Sequence, residues 1–111
     1  MTTYCPDNWV ILKITAPEET LYKVLAGWSG GYLDGDSWKI NSGIVSVSLQ
    51  DNYWLFAGYS GSIYQCRQGR YGLRLATAPV YNRLRERFGD LIEIMDENTN
   101  WKELIENEKN I

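Results

Sequence analysis

The pattern of apolar and polar positions predicts strands in the first part of the chain. The run NWVILKIT at 8–15 is apolar and is followed by APEE, which is typical of a strand that ends in a turn. The segment TLYKVLAGWS at 20–29 has apolar residues at alternate positions and predicts a second strand. Glycine and aspartate are dense in GGYLDGDSW at 30–38, and because both favour turns this segment is predicted to be a loop.

Three further runs predict a β-meander. The run IVSVSLQ at 44–50 alternates valine and leucine with serine and glutamine, the pattern of a half-buried strand. The pairs DN at 51–52 and SG at 60–61 are typical of tight hairpin turns, and they separate this run from those at 53–59 and 62–67. We therefore expect three consecutive antiparallel strands.

The hydrophobic period changes near residue 78. Tyr81, Leu84 and Phe88 recur at helical spacing, a proline lies in the first turn, and Gly89 can end the helix. These signals predict an amphipathic helix at about 78–88.

The last segment predicts two short elements. The run LIEIM at 91–95 is one more candidate strand. Beyond it, Asn98 or Thr99 is expected to cap a short final helix that has Glu103 in its first turn.

Together these elements predict a single, mostly β domain over residues 1–111 with one or two helices. The barrel would span about 8–68, the basic helix about 78–88, and a strand and acidic tail 90–111. Five short strands favour a small, strongly bent barrel of the Sm-like or SH3-like type, or an OB-like one, because closure removes exposed edges. Such barrels often leave one edge open, so self-pairing into a homo-oligomeric ring is expected.

The composition narrows the possible chemistry. The chain contains no histidine, which excludes His-activated nucleophiles and His-containing metal sites. Cys5 and Cys66 form no CxxC pair, and we interpret both as small apolar residues. The sequence lacks an apolar run of about 20 residues and a signal-peptide pattern, so a cytoplasmic protein is expected. We therefore expect a non-enzymatic protein without a cofactor or a metal ion.

Charge is strongly segregated, although the formal net charge is only −3. All six arginines lie between Arg67 and Arg87, where Glu86 is the one acidic residue, so this window carries +5. Residues 90–111 carry −5 and residues 1–66 carry −3. The small net charge therefore conceals a basic window and an acidic tail.

Two interpretations of this segregation stay open. In the first, the basic helix pairs with the acidic tail on a solvated face, and the expected pairs join Arg83, Arg85 and Arg87 to Glu93, Glu97 or Glu103. In the second, the arginines bind phosphate, because a guanidinium forms two hydrogen bonds to phosphate and also stacks on bases.

The second interpretation predicts binding of single-stranded nucleic acid, with RNA as the preferred ligand. Tyr64 and Tyr71 interleave with the arginines, as aromatic rings do in single-strand binding grooves. Because the pI is about 4.9, the affinity is expected to be modest and to fall steeply with salt. The candidate binding residues are Arg67, Arg70, Tyr71, Arg74, Arg83 and Arg87.

The alternative function is a protein–protein interaction module, either a minor virion component or a host-takeover factor. Its candidate surface is an aromatic face formed by Trp28, Tyr32 and Trp38. Nearby, Asp34 and Asp36 lack the longer ladder of ligands that a calcium loop needs, so we predict that they cap their own turn.

Several strings together resemble a family of small proteins encoded by T4-like marine cyanophages and abundant in ocean metagenomes. They are YCPDNWVILKI, VLAGWSGGYLDGDSWKINSGI, GSIYQC, YGLR and DENTNWKEL, and GWSGGYLDGDSW is the most specific part. The resemblance spans nearly the whole chain. It implies a phage protein of the host cytoplasm without an assigned enzymatic activity, and a fold similar to the Sm-like barrels of RNA chaperones.

Overall fold

Eight strands and two helices form the part of the chain that the computed structural model describes, residues 2–31 and 35–109. The strands are β1 (Thr3–Tyr4), β2 (Asn8–Thr15), β3 (Thr20–Gly31), β4 (Gly35–Ile40), β5 (Ile44–Gln50), β6 (Tyr53–Gly58), β7 (Ile63–Arg67) and β8 (Ile92–Ile94). The helices are α1 (Ala78–Phe88) and α2 (Trp101–Lys109). Neither described helix is long and apolar enough to cross a membrane.

The strands make two four-stranded sheets, in the orders β1-β7-β6-β5 and β4-β3-β2-β8. Within them, β1 pairs with β7 in parallel, and the other neighbours pair antiparallel. The fold is therefore mostly β with two helices, as the sequence predicts.

The apolar run of β2 is continuous because this strand is buried on both faces. Trp9 and Ile11 belong to one hydrophobic cluster, which also contains residues of the first sheet such as Phe56. Val10 and Leu12 point the opposite way, into a second cluster that contains residues of α1. The second sheet thus lies between the first sheet and α1.

The helix α2 covers an open side of the two sheets. It packs against the edge strand β5, and it buries Trp101 and Ile105 in the same cluster as Trp9 and Phe56. Asn100 caps this helix, because its side-chain oxygen accepts a hydrogen bond from the Glu103 N–H at 3.1 Å. The predicted caps, Asn98 and Thr99, are therefore wrong by one or two positions.

Local signals predicted several elements correctly. The meander of β5, β6 and β7 is confirmed, and Asp51 and Asn52 form its first two-residue turn, with Asp51 at φ 56°. The amphipathic helix is confirmed over 78–88, and it ends at Gly89, which has φ 57°. The second turn is longer than the predicted pair, because β6 ends at Gly58 and β7 begins at Ile63.

The predicted five-stranded closed barrel is wrong. The described strands number eight and lie in two separate sheets, with α2 rather than a strand packed against β5. The prediction missed β1 and also β4, which occupies much of the predicted loop at 30–38. Pairing with β3 supplies the backbone hydrogen bonds that overcome the turn-prone composition of β4. Assembly into a ring stays a prediction.

Candidate nucleic-acid interface

The backbone of the arginine-rich segment is attached to the buried Trp9. The Trp9 N–H donates to the Arg70 carbonyl at 3.3 Å, and the Gly72 N–H donates to the Trp9 carbonyl at 2.9 Å. The Trp9 indole N–H donates to the Arg67 carbonyl at 2.8 Å. Since the side chains of Arg67 and Arg70 are exposed, the segment has a fixed backbone and leaves its guanidinium groups at the surface.

Two adjoining cavities form a groove beside this segment, which we call the arginine groove. Their volumes are about 330 and 570 Å³, and both are lined by Asp7, Ser29 and Arg70. Arg74 lines the smaller cavity and Arg67 the larger one. The remaining lining residues are Cys5, Pro6, Asn8, Trp28, Tyr53, Gln65, Leu75 and Ala76.

The groove contains three guanidinium groups that form no ion pair with a described residue. Arg67 and Arg70 form no side-chain hydrogen bond or ion pair with a described residue, and Arg74 donates only to the neighbouring Leu73 carbonyl, at 3.0 Å. The described ion pairs are Lys13–Glu93 at 4.0 Å and Arg85–Asp90 at 3.4 Å, and neither lies in the groove. Three guanidinium groups therefore remain available to an anion.

No described residue of the acidic tail lines the arginine groove. Glu108, near the end of α2, lines a cavity together with Tyr22, which lies in the first part of β3. Ser29, which lines the groove, lies about 20 Å further along β3 at the usual rise per residue. The acidic end of α2 is thus separated from the groove along the second sheet. Earlier in the tail, Glu97 lines a separate cavity with Gln68 and Gly69 of the arginine-rich segment.

The specific ion pairs predicted between the basic helix and Glu93, Glu97 or Glu103 are absent from the described residues. Arg85 instead donates to the Gly89 and Ile92 carbonyls at 3.0 and 2.8 Å and pairs with Asp90, so it caps the end of α1. The described ion pair between the basic helix and the acidic segment at 90–111 is thus that of Arg85 with Asp90, close to the end of the helix.

Tyr71 faces the core rather than the groove. Its hydroxyl accepts from the Ile11 N–H at 3.1 Å and donates to the Met95 carbonyl at 2.6 Å. Its ring lies 4.8 Å from the ring of Trp9 and 6.0 Å from that of Trp101. Burial raises the pKa of Tyr71 to about 12. These contacts give Tyr71 a structural role, and it does not line the groove.

Tyr71→Phe is expected to lower the free energy of unfolding by about 1–3 kcal/mol, because it leaves the buried Ile11 N–H without its acceptor. Oligonucleotide affinity is expected to stay within about twofold, because the ring does not line the groove. Urea denaturation and a binding titration on the same preparation measure both effects. A large loss of affinity in a stably folded variant would contradict this prediction and show that Tyr71 contributes to binding.

Two of the predicted arginines lie away from the groove. Arg83 and Arg87 are exposed on α1, about 8 and 14 Å along the helix axis from Ala78, and neither lines a groove cavity. The Arg87 guanidinium lies 5.6 Å from the centre of the Phe88 ring. The fold thus brings Arg67, Arg70 and Arg74 together and leaves the helical arginines on another surface.

The predicted aromatic face is not formed by its two described members. Trp38 pairs with Gly27 and Trp28 pairs with Ser37 across β3 and β4. Cross-strand partners share a face and successive residues alternate, so Trp28 and Trp38 point to opposite sides of the sheet. Trp28 lines the arginine groove, where its indole N–H donates to the Cys5 carbonyl at 3.0 Å. Tyr32 and Asp34 lie outside the described residues.

Sequence reasoning missed several members of the groove. Asp7, Ser29 and Tyr53 come from three separate parts of the chain and carry no motif that links them to the arginines. Only the pairing of β2 with β3, and of β6 with β7, brings them together.

Comparisons of the chain with protein-family models, curated proteins and solved structures found no match. The function is therefore inferred from the geometry and the chemistry of the groove.

Proposed function

We propose that this protein binds single-stranded nucleic acid, without catalysing a reaction, by holding the phosphate backbone in the arginine groove. The observation that carries the proposal is the convergence of Arg67, Arg70 and Arg74 on one groove without a described carboxylate partner. Guanidinium groups suit this ligand because they bind phosphate oxygens through two parallel hydrogen bonds.

Aromatic rings beside the arginines support the choice of a single strand. Trp28 and Tyr53 are half-buried and line the smaller and the larger cavity respectively. Unpaired bases stack on such rings with little sequence preference, whereas the bases of a duplex are already stacked on each other. Two adjoining cavities also extend the groove beyond the size of one phosphate.

The separation of charges makes binding compatible with an acidic protein. Half of the acidic residues lie in the tail at 90–111, and α2 packs on β5 rather than on the groove. Because charges separated by more than about 10 Å are largely screened at 0.1 M salt, the local field of the groove determines phosphate binding more than the net charge does.

Fluorescence anisotropy with a labelled 12-nucleotide oligo(U) tests this proposal. Three phosphate contacts predict that the logarithm of the association constant falls with the logarithm of salt concentration at a slope of about −2. Saturable binding at 50 mM salt that weakens in this way by 200 mM supports the proposal. Absence of binding at 50 mM salt contradicts it and leaves the protein–protein interaction module as the function to test.

A further inference from the structure

Asp7 occupies an unexpected place in the groove. Among the lining residues that the structure describes it is the one acidic residue, and it lines both cavities beside Arg70. Its backbone N–H donates to the Gly27 carbonyl at 2.9 Å, and its Oδ2 accepts from the Ser29 N–H at 2.7 Å. One hydrogen bond from its backbone and one to its side chain thus attach Asp7 to β3, with the exposed carboxylate beside the arginines of the groove.

The carboxylate is not used to neutralise the arginines. No described nitrogen of Arg67, Arg70 or Arg74 lies within 4.0 Å of a carboxylate oxygen. An unneutralised carboxylate in a phosphate-binding groove repels the ligand's phosphates, so it weakens binding of every nucleic acid that offers it no hydrogen bond. An ionised carboxylate accepts hydrogen bonds and donates none, so the compensating group on the ligand must be a donor.

We propose that Asp7 accepts a hydrogen bond from a ribose 2′-hydroxyl and thereby selects RNA over DNA. The inference rests on the proposed function and assigns the sugar specificity of the same groove. The 2′-hydroxyl is the donor that every RNA nucleotide carries beside its phosphate and that DNA lacks. Arg70 binds the phosphate, and Asp7 beside it reads the sugar, whatever the base.

The test compares labelled 12-nucleotide oligo(U), oligo(dU) and 2′-O-methyl oligo(U) at one salt concentration. These probes share the base, and only the first donates a hydrogen bond from the 2′ position. The wild-type protein is expected to bind oligo(U) at least about tenfold more tightly than either of the other two, since a hydrogen bond to a charged group is among the stronger ones.

Asp7→Asn is expected to reduce that ratio to below about threefold, mainly through tighter binding of oligo(dU), because the repulsive charge is removed. The amide oxygen of the variant still accepts from the Ser29 N–H, so circular dichroism is expected to be unchanged. The matched control is Glu86→Gln, which removes one negative charge from an exposed position of α1 outside the groove. It is expected to leave the ratio unchanged.

The outcomes separate this inference from the function on which it rests. Equal binding of oligo(U) and oligo(dU) by the wild-type protein overturns the role of Asp7 and leaves nucleic-acid binding intact. A preference for oligo(U) that survives in Asp7→Asn assigns the discrimination to another residue and also overturns the inference. Absence of binding to all three probes contradicts the proposed function itself. If Asp7→Asn does not fold, equal wild-type binding of the 2′-O-methyl probe and oligo(U) still refutes the inference.

Discussion

Replacing Arg70 and Arg74 together by glutamate is expected to lower the affinity for oligo(U) at 50 mM salt by at least about 100-fold. Both side chains line the groove, so the change removes two phosphate contacts and adds two repulsive charges at the same place. The salt dependence is expected to become shallower as well, since the slope follows the number of phosphate contacts. Anisotropy titrations at several salt concentrations measure both effects.

The matched control is the double variant Arg83→Glu/Arg87→Glu, which changes the net charge by the same amount on α1. Neither residue lines the groove, and we expect a loss of less than about fivefold, from the long-range field alone. An equal loss in the two double variants would show that net charge or the helix surface, rather than the groove, determines binding.

Fold integrity is checked by circular dichroism and the thermal midpoint. The described side-chain hydrogen bond of Arg74 goes to the adjacent Leu73 carbonyl, and Arg70 forms none, so stability is expected to change by less than about 0.5 kcal/mol. A third variant, Arg70→Lys/Arg74→Lys, keeps the positive charge but replaces each planar guanidinium, with its two parallel N–H donors, by an ammonium group. An intermediate loss of affinity in this variant would show that two-point phosphate binding contributes beyond charge.

The sequence predicts those elements whose signals are local. The helix α1 has its bounds as expected because a proline in its first turn and Gly89 after its last one act on the helix directly. The meander is likewise specified by alternation in IVSVSLQ and by the turn at 51–52. Both elements are specified by signals between residues that are close together in the sequence. The tertiary structure leaves these two elements as predicted.

The barrel prediction failed because closure depends on contacts between distant segments. β1 has only two residues, and it exists because Thr3 and Tyr4 pair with Ile63 and Tyr64. The pattern of apolar and polar residues does not show that α2, rather than a strand, packs against β5. Strand counting therefore predicted the number of strands in the meander but not the arrangement of the sheets.

The candidate site was predictable only in part for the same reason. Segregated charge identified the window that contains Arg67, Arg70 and Arg74, three of the groove residues. Tyr71 lies in that window but points to the core, because the bridge between Trp9 and Tyr71 fixes which residues of the segment face outward. Asp7 lies in the groove because β2 pairs with β3. The residues around Asp7 in the sequence contain no signal that predicts this position.

Trp101→Ala is expected to lower the free energy of unfolding by about 3–5 kcal/mol, the usual cost of deleting a large buried aromatic side chain. The indole is about 1% exposed, and its ring lies about 6 Å from the rings of Trp9, Phe56 and Tyr71. Together with Ile105, Trp101 attaches α2 to the core. Urea denaturation followed by circular dichroism measures the change, and fluorescence of the remaining tryptophans reports whether the two sheets unfold together with α2.

Two further variants distinguish loss of packing from other effects. Trp101→Phe keeps an aromatic ring and removes an indole N–H that has no acceptor among the described residues, so a smaller loss, about 1–2 kcal/mol, is expected. Lys102→Ala changes an exposed neighbour on the same helix and is expected to cost less than about 0.5 kcal/mol. A loss below about 1 kcal/mol in Trp101→Ala would show that α2 is not part of the cooperative core. In that case the position of the acidic helix would not be coupled to the folding of the two sheets that carry the arginine groove.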